Sequence, residues 1–162
     1  MDDKIKLLIV DDEVKFLDSI AKRLELRGFD VRKATSGQEA LEIVKNTRFD
    51  LALLDLKMPG MNGRDVLEAL KREHKHLEVI ILTGHGSVDS AVECTKLGAF
   101  SYLPKPYELE KLLEVLRQAY EARLKKKFDH DQARIDRITR LATGSSALAI
   151  LRELRKLDDE EK

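Results

Sequence analysis

The chain has one cysteine, Cys94, in 162 residues. A lone thiol excludes an internal disulfide and suits a reducing compartment. There is no excess of either charge, since 30 Lys and Arg face 30 Asp and Glu for a formal net charge of zero. That balance argues against nonspecific nucleic-acid binding by the chain as a whole. Long apolar runs are also missing. Met1-Asp2-Asp3-Lys4 opens acidic and leads into only a few apolar residues, neither a signal peptide nor a membrane span, so a cytoplasmic protein is expected. No glycine-rich phosphate loop followed by Lys-Ser/Thr occurs, and no helix-turn-helix pattern. What is present, 43% hydrophobic and 37% charged residues, suffices for one well-solvated domain with a proper core and a short appendage.

The apolar pattern alternates between two periods. Ile5 to Val10 is a short, nearly continuous apolar run, as expected of a strand covered on both faces. Phe16, Ile20 and Leu24 then recur at four-residue spacing on an amphipathic helix that Gly28 stops. Phe29 to Ala34 alternates like a strand with one more exposed face. Ser36-Gly37-Gln38-Glu39 is a capping box for a second helix. Asp50 to Leu56 is the third strand, and Val66, Leu67 and Leu70 mark a helix running to about His74. Glu78 to Leu82 is the fourth strand, followed by Ser87 as N-cap of a helix ending at Gly98. Ala99 to Leu103 is the fifth, and from Tyr107 a long helix carries Leu109, Leu112, Leu113, Leu116, Tyr120 and Leu124. Five strands alternating with five helices predict an α/β fold. It is a doubly wound parallel sheet of flavodoxin-like (βα)5 type, strand order 2-1-3-4-5, with a C-terminal helical extension.

The carboxyl ends of those strands carry the polar chemistry. Strand one ends in Asp11 and Asp12, strand three in Asp55, strand four in Thr83 and strand five in Lys105. In this architecture ligands bind there, at the switch in strand order. Asp55, delivered into the loop Lys57-Met58-Pro59-Gly60-Met61-Asn62-Gly63, is expected at an exposed edge. Three converging carboxylates resist joint ionisation unless a cation joins them, and a hard divalent ion with oxygen ligands answers that need. Thr83 adds a hydroxyl and Lys105 a mobile cation, both suited to a phosphoryl group. Singly, each has a plainer explanation: Asp11 or Asp12 capping the first helix, Thr83 as a turn hydroxyl, Lys105 as a solvated charge. Their joint placement favours a site.

These stretches resemble the receiver domains of bacterial two-component response regulators, over roughly Lys4 to Leu124. The resemblance is carried by Leu8-Ile9-Val10-Asp11-Asp12-Glu13, by Leu53-Leu54-Asp55-Leu56-Lys57-Met58-Pro59-Gly60, by Ile81-Leu82-Thr83-Gly84 and by Tyr102-Leu103-Pro104-Lys105-Pro106. It implies that Asp55 accepts a phosphoryl group from a sensor histidine kinase or phosphotransfer protein. Asp12, Asp55 and the backbone carbonyl of Lys57 would ligate Mg²⁺ (or Mn²⁺), with Asp11 acting directly or through water. Thr83 and Lys105 would hold the phosphoryl oxygens, with a cis bond before Pro106. Tyr102 would be the switch that turns inward with Thr83, the alternative being an ordinary exposed strand tyrosine. Gly84 would leave room for attacking water, and His85 would tune hydrolysis. The face from about Ser87 to Leu124 would change its partners.

Residues 1–124 are thus expected to form the receiver domain and 125–162 a helical extension or linker. Leu124, Phe128, Ile135, Ile138 and Ala142 fit a heptad seam with Asp131 at one position, or a solvated amphipathic helix or linker. Ala147 to Leu157 is a short amphipathic helix, and Asp158 to Lys162 a solvated end. Thr83 to Val88 most resembles receivers of nitrogen-regulator-type (sigma-54-dependent) activators, which implies dimerisation through the fifth helix and its extension. The chain would be a single-domain regulator or a piece of a longer transcription regulator, with direct DNA binding disfavoured. An aspartate-nucleophile phosphatase is the enzyme alternative, but it needs a second acid where Lys57 stands. His74 and His76 do not share a helical face and suggest no metal site, and Cys94 is expected to pack against the sheet.

Overall fold

The computed structural model describes residues 4–84, 87–127, 136, 139–140 and 144–160. The strands are β1 (Lys6–Val10), β2 (Asp30–Ala34), β3 (Leu51–Leu54), β4 (Glu78–Thr83) and β5 (Ser101–Pro104), with helices α1 (Val14–Glu25), α2 (Gly37–Asn46), α3 (Gly63–Glu73), α4 (Val88–Lys96) and α5 (Leu109–Lys127) between and after them. A further helix, here α6, covers Ala147–Glu160. All four pairings are parallel and the order is β2-β1-β3-β4-β5, as the alternation predicts.

Side-chain alternation along the strands divides the interior in two. Leu7, Ile9, Leu51, Leu53, Ile80 and Leu82 face one side, against apolar residues of α1, α5 and α6. Leu8, Val10, Ala52, Leu54, Val79 and Ile81 face the other, where α2, α3 and Cys94 of α4 pack. Burial on both faces explains why the strands are near-continuous apolar runs. The Ser36 half of the predicted capping box is present, Ser36 Oγ accepting the Glu39 amide at 3.1 Å, while the Glu39 carboxylate reaches one residue further back and accepts the Thr35 amide at 3.1 Å. Ser87 likewise accepts the Ser90 amide at 3.1 Å. No helix among the described residues is long and apolar enough to cross a membrane.

Two expectations fail. Strand β3 stops at Leu54, and Asp55 is no exposed edge residue but 1% accessible. Its amide still donates to the Val10 carbonyl at 3.0 Å, and the ends of the neighbouring strands close around it. The chain end is not solvated throughout either, because Asp158 is fully buried. Ala147, Ile150, Leu151 and Leu154 follow helical spacing and join the cluster that holds Leu116, Tyr120 and Leu124 of α5. Burying each of the isoleucine and leucine side chains contributes about 1.5–3 kcal/mol, enough to dock a short helix. A buried polar network fixes its far end. Asp158 accepts from Tyr120 Oη at 2.8 Å, Lys127 Nζ at 3.0 Å and Arg155 Nη1 at 3.1 Å. Arg123 pairs with Asp50 at 3.2 Å and with Asp158 at 3.5 Å. The heptad positions Phe128, Asp131, Ile135, Ile138 and Ala142 lie outside the described residues.

Candidate functional site

Asp55 sits where β3 gives way to the loop before α3. Glycine at position 63 is what lets that loop return so tightly: its amide donates to the Leu56 carbonyl at 3.1 Å, and a Cβ there would run into the Leu56 backbone. Asn62 caps α3 by accepting the Arg64 amide at 2.9 Å. The loop thereby holds the Lys57 amide over Asp55, donating to Oδ1 at 3.2 Å.

The other sequence-predicted residues converge on the same carboxylate. Thr83, at the end of β4, donates its hydroxyl to Asp55 Oδ1 at 2.5 Å. The Lys105 amide closes the β4–β5 edge on the Thr83 carbonyl at 3.0 Å, and the Lys105–Pro106 peptide is cis. From there Lys105 Nζ reaches Asp11 Oδ2 at 2.5 Å, Asp55 Oδ2 at 3.4 Å and Glu13 Oε1 at 3.6 Å. With 12% of its side chain accessible, Lys105 is not a solvated surface charge. Nor do Asp11 and Asp12 cap α1. Its N-cap is Glu13, without a side-chain cap, and the Glu13 amide itself bonds to Asp11 Oδ1 at 2.9 Å.

Two residues that the sequence marked only as helix positions complete the surroundings of Lys105. Its ammonium lies 3.8 Å from the centroid of the Phe16 ring, and Tyr107 meets Phe16 edge-on at 6.1 Å and 85°. A cation over an aromatic face is attracted by the ring quadrupole. The pair therefore walls the lysine from one side while leaving its head on the carboxylates. Burial pushes the Tyr107 phenol up to about 12, Arg23 opposing and Asp11 adding to the shift. The Phe16 signal was present in the sequence, one helical turn after Glu13, but its apolar spacing pointed only to core.

The electrostatics are those of a crowded acidic site. Burial pushes the Asp11 carboxyl above its usual range, against the hydrogen bonds from Lys105 and the Glu13 amide, and the Asp55 charge adds to it. Burial works against the Lys105 ammonium, but the Asp11 hydrogen bond and the charges of Asp11, Asp55 and Glu13 outweigh it and hold the amine protonated. One oxygen each of Asp11, Asp12 and Asp55 lie within 4.8 Å of one another. Three hard oxygen donors so close, two of them buried, fit a divalent cation of the Mg²⁺ type.

Tyr102 is brought near but not into this cluster. It packs against the Leu8–Val10 side of the sheet, its phenol oxygen buried and without a partner among the described residues. Burial, with the Cys94 and Asp55 charges, raises its pKa. Beside Thr83, Gly84 leaves open space, since a Cβ would meet only Lys105 Cβ at 3.9 Å. His85 lies outside the described residues. Cys94 is buried as expected, and His74 and His76 line the opposite end of the sheet.

Comparison with known proteins places this geometry. The family model for the response regulator receiver domain matches residues 7–117. A putative NtrX-like response regulator of Rickettsia bellii is 36% identical over 119 residues, which cover 72% of this chain and 25% of that protein. The acid tolerance regulatory protein ActR of Rhizobium meliloti is 39% identical over 112 residues, 69% of this chain and 58% of that one. The chain thus spans about a quarter of the length of its NtrX-like relatives. Among solved structures, a CheY-like receiver domain protein from Methanospirillum hungatei superposes with a TM-score of 0.73 at 33% identity, over 76% of this chain and 98% of the other. The receiver domain of NtrX from Brucella abortus gives 0.67 at 32% identity, over 71% and 98%. With sequence and backbone agreeing over the same span, this chain belongs to the family of response regulator receiver domains, the signalling modules of two-component systems.

Proposed function

We propose that the chain is a phosphorylation switch in which Asp55 is the phosphoacceptor. The observation that carries this reading is the convergence of a hydroxyl (Thr83), an amide (Lys57) and an ammonium (Lys105) on one buried carboxylate beside two further acids. The phosphodonor is the phosphohistidine of a sensor histidine kinase or phosphotransfer protein. A carboxylate oxygen of Asp55 attacks phosphorus, an O–P bond forms, the N–P bond breaks and the imidazole departs with the electron pair. Asp11, Asp12, Asp55 and the Lys57 carbonyl would hold Mg²⁺ (or Mn²⁺), which supplies positive charge for the equatorial phosphoryl oxygens. Lys105 and Thr83 orient those oxygens, and both already reach Asp55. Gly84 leaves room for the water that later hydrolyses the acyl phosphate.

The output follows from the added charge of about −1.5 to −2. Thr83 follows the phosphoryl group, and the space it vacates shifts Tyr102 toward the inward of its two positions. An unpaired buried phenol costs about 1–3 kcal/mol, so the inward and outward positions stay close enough in free energy to be switched. The face that changes is α4, β5 and α5, where Val88 and Val92 are exposed. A homodimer through the fifth helix and its extension would use this signal. Light scattering with and without beryllofluoride tests it, and a monomer in both states overturns it. The phosphoacceptor itself is tested by labelling from acetyl phosphate: one phosphoryl group per chain is expected with Mg²⁺. Equal labelling of Asp55→Asn would reassign the nucleophile.

A further inference from the structure

Opposite Asp55, at the amino ends of the strands, the sheet carries a second polar cavity of about 690 Å³. It lies between the β4 approach, α5 and α6, and its walls include Arg48, Lys75, His76, Arg123, Lys127 and Arg155. Among the described residues, cations outnumber acids along its walls. Asp50 and Glu73 line the cavity, while Asp158 is shared by Arg123, Lys127 and Arg155. Arg48 and Lys75, exposed at the mouth, have no ion pair among the described residues.

Two polar atoms in the wall are also unsatisfied. Arg123 uses its terminal nitrogens on Asp50 and Asp158, and its Nε is buried without an acceptor. His76 Nδ1 is likewise buried without a partner. Burial first, then the charges of Lys75, Arg123, Lys127 and Lys71, depress the His76 pKa, so every charge it feels there is positive. The Arg123 Nε–H, a buried donor without an acceptor among the described residues, inside a positive field calls for an anion. The volume falls within the range of small-molecule sites and exceeds what a single phosphate fills.

We propose that this cavity binds a small anion carrying two or more linked phosphates, gripped at the mouth by Arg48 and Lys75 and in the wall by Arg123 and Lys127. Half-buried Phe49, which lines the same cavity, offers an apolar surface to whatever the phosphates carry. Because α6 contributes Arg155, the anion and the docked α6 stabilise each other, as linkage requires. The site stands apart from the Asp55 chemistry and does not depend on it.

The test is calorimetric titration of the whole chain with inorganic pyrophosphate in EDTA, where the metal-free Asp11, Asp12 and Asp55 repel anions. One saturable site per chain is expected. The double variant Arg48→Glu/Lys75→Glu, altered only at exposed side chains, should bind at least tenfold more weakly. The charge-matched Lys15→Glu/Lys111→Glu, altered at exposed side chains in the first turns of α1 and α5 near the carboxyl ends of the strands, should change affinity less than twofold. Absence of saturable binding, or equal weakening in the control pair, overturns the proposal. ADP binding tighter than pyrophosphate assigns a nucleoside polyphosphate, and the reverse order assigns the bare anion.

Discussion

At the scale of single residues, the Asp55 cluster stores electrostatic tension that Lys105 partly relieves. Its ammonium bridges Asp11 and Asp55 at 2.5 and 3.4 Å. Removing a preorganised charge that meets developing charge typically costs 10² to 10³ in rate. Lys105→Ala should therefore label from acetyl phosphate roughly 10²-fold more slowly, with Lys105→Arg recovering part of the loss. Unchanged kinetics would show that the lysine serves only the resting acids. Asp11 makes the complementary case. Its folded pKa lies above the unfolded value, chiefly through burial. The ionised form therefore costs stability above the folded pKa, and that cost vanishes as pH falls through the unfolded one. Asp11→Asn should raise the Tm at pH 7, with the gain declining as pH falls through the raised folded pKa and absent below about pH 4. A lower Tm at pH 7 would contradict this sign.

At the scale of elements, the turn from β3 into α3 and the docked helix α6 each depend on one close contact. The turn needs residue 63 without a Cβ, because the Leu56 backbone occupies that space. Neither partner is the flexible end of a side chain, so Gly63→Ala should cost about 1–3 kcal/mol, the usual range for overpacking. Urea unfolding checks it, with a lower midpoint at an unchanged slope. Helix α6 is held by Asp158, whose removal would take away the buried acid that Arg123, Arg155 and Lys127 share. Breaking such a network by deleting one partner costs about 3–5 kcal/mol. In Asp158→Ala, hydrogen exchange of α6 amides should accelerate by roughly 10²-fold or more while β1 and β3 keep their protection. Unaltered α6 protection would mean that the apolar contacts of Ile150, Leu151 and Leu154 suffice by themselves.

At the scale of the whole molecule, zero net charge conceals a polar arrangement. The carboxyl ends of the strands gather Asp11, Asp12 and Asp55, and the amino ends gather the cations around Arg123 and Arg155. The two poles respond oppositely to acid. Burial opposes ionised Asp158, but the hydrogen bonds from Tyr120 and Lys127 and the charges of Arg123 and Lys127 outweigh it and hold its pKa below the ordinary value. A depressed carboxylate contributes stability that is complete above its unfolded pKa and lost as pH falls through the folded one. The Tm difference between the wild-type chain and Asp158→Asn should stay constant from about pH 8 to 5 and shrink below about pH 4. A difference that grows on acidification would reverse the sign of this contribution.

Much of the fold was legible in the sequence because doubly covered strands must be apolar throughout and the helices between them amphipathic. The alternation at Leu8-Ile9-Val10 and Leu51 to Leu54 set the parallel sheet, and the strand ends set Asp11, Asp12, Asp55, Thr83 and Lys105 at one pole. Strand ends and burial were less legible, as Asp55 shows, since its enclosure comes from neighbouring strands that are distant in sequence. Phe16 and Tyr107 read as core or helix positions, because cation–π contacts leave no trace in periodicity. Asp158 sits in an acidic run that by composition belongs to solvent. Only the docking of α6 on α5 placed it among Tyr120, Arg123, Lys127 and Arg155. Local pattern determined the layers and the candidate phosphoryl site, which depend on short-range spacing. Tertiary structure alone decided the buried network and the second cavity, because like charges from separate segments are brought together by long-range packing.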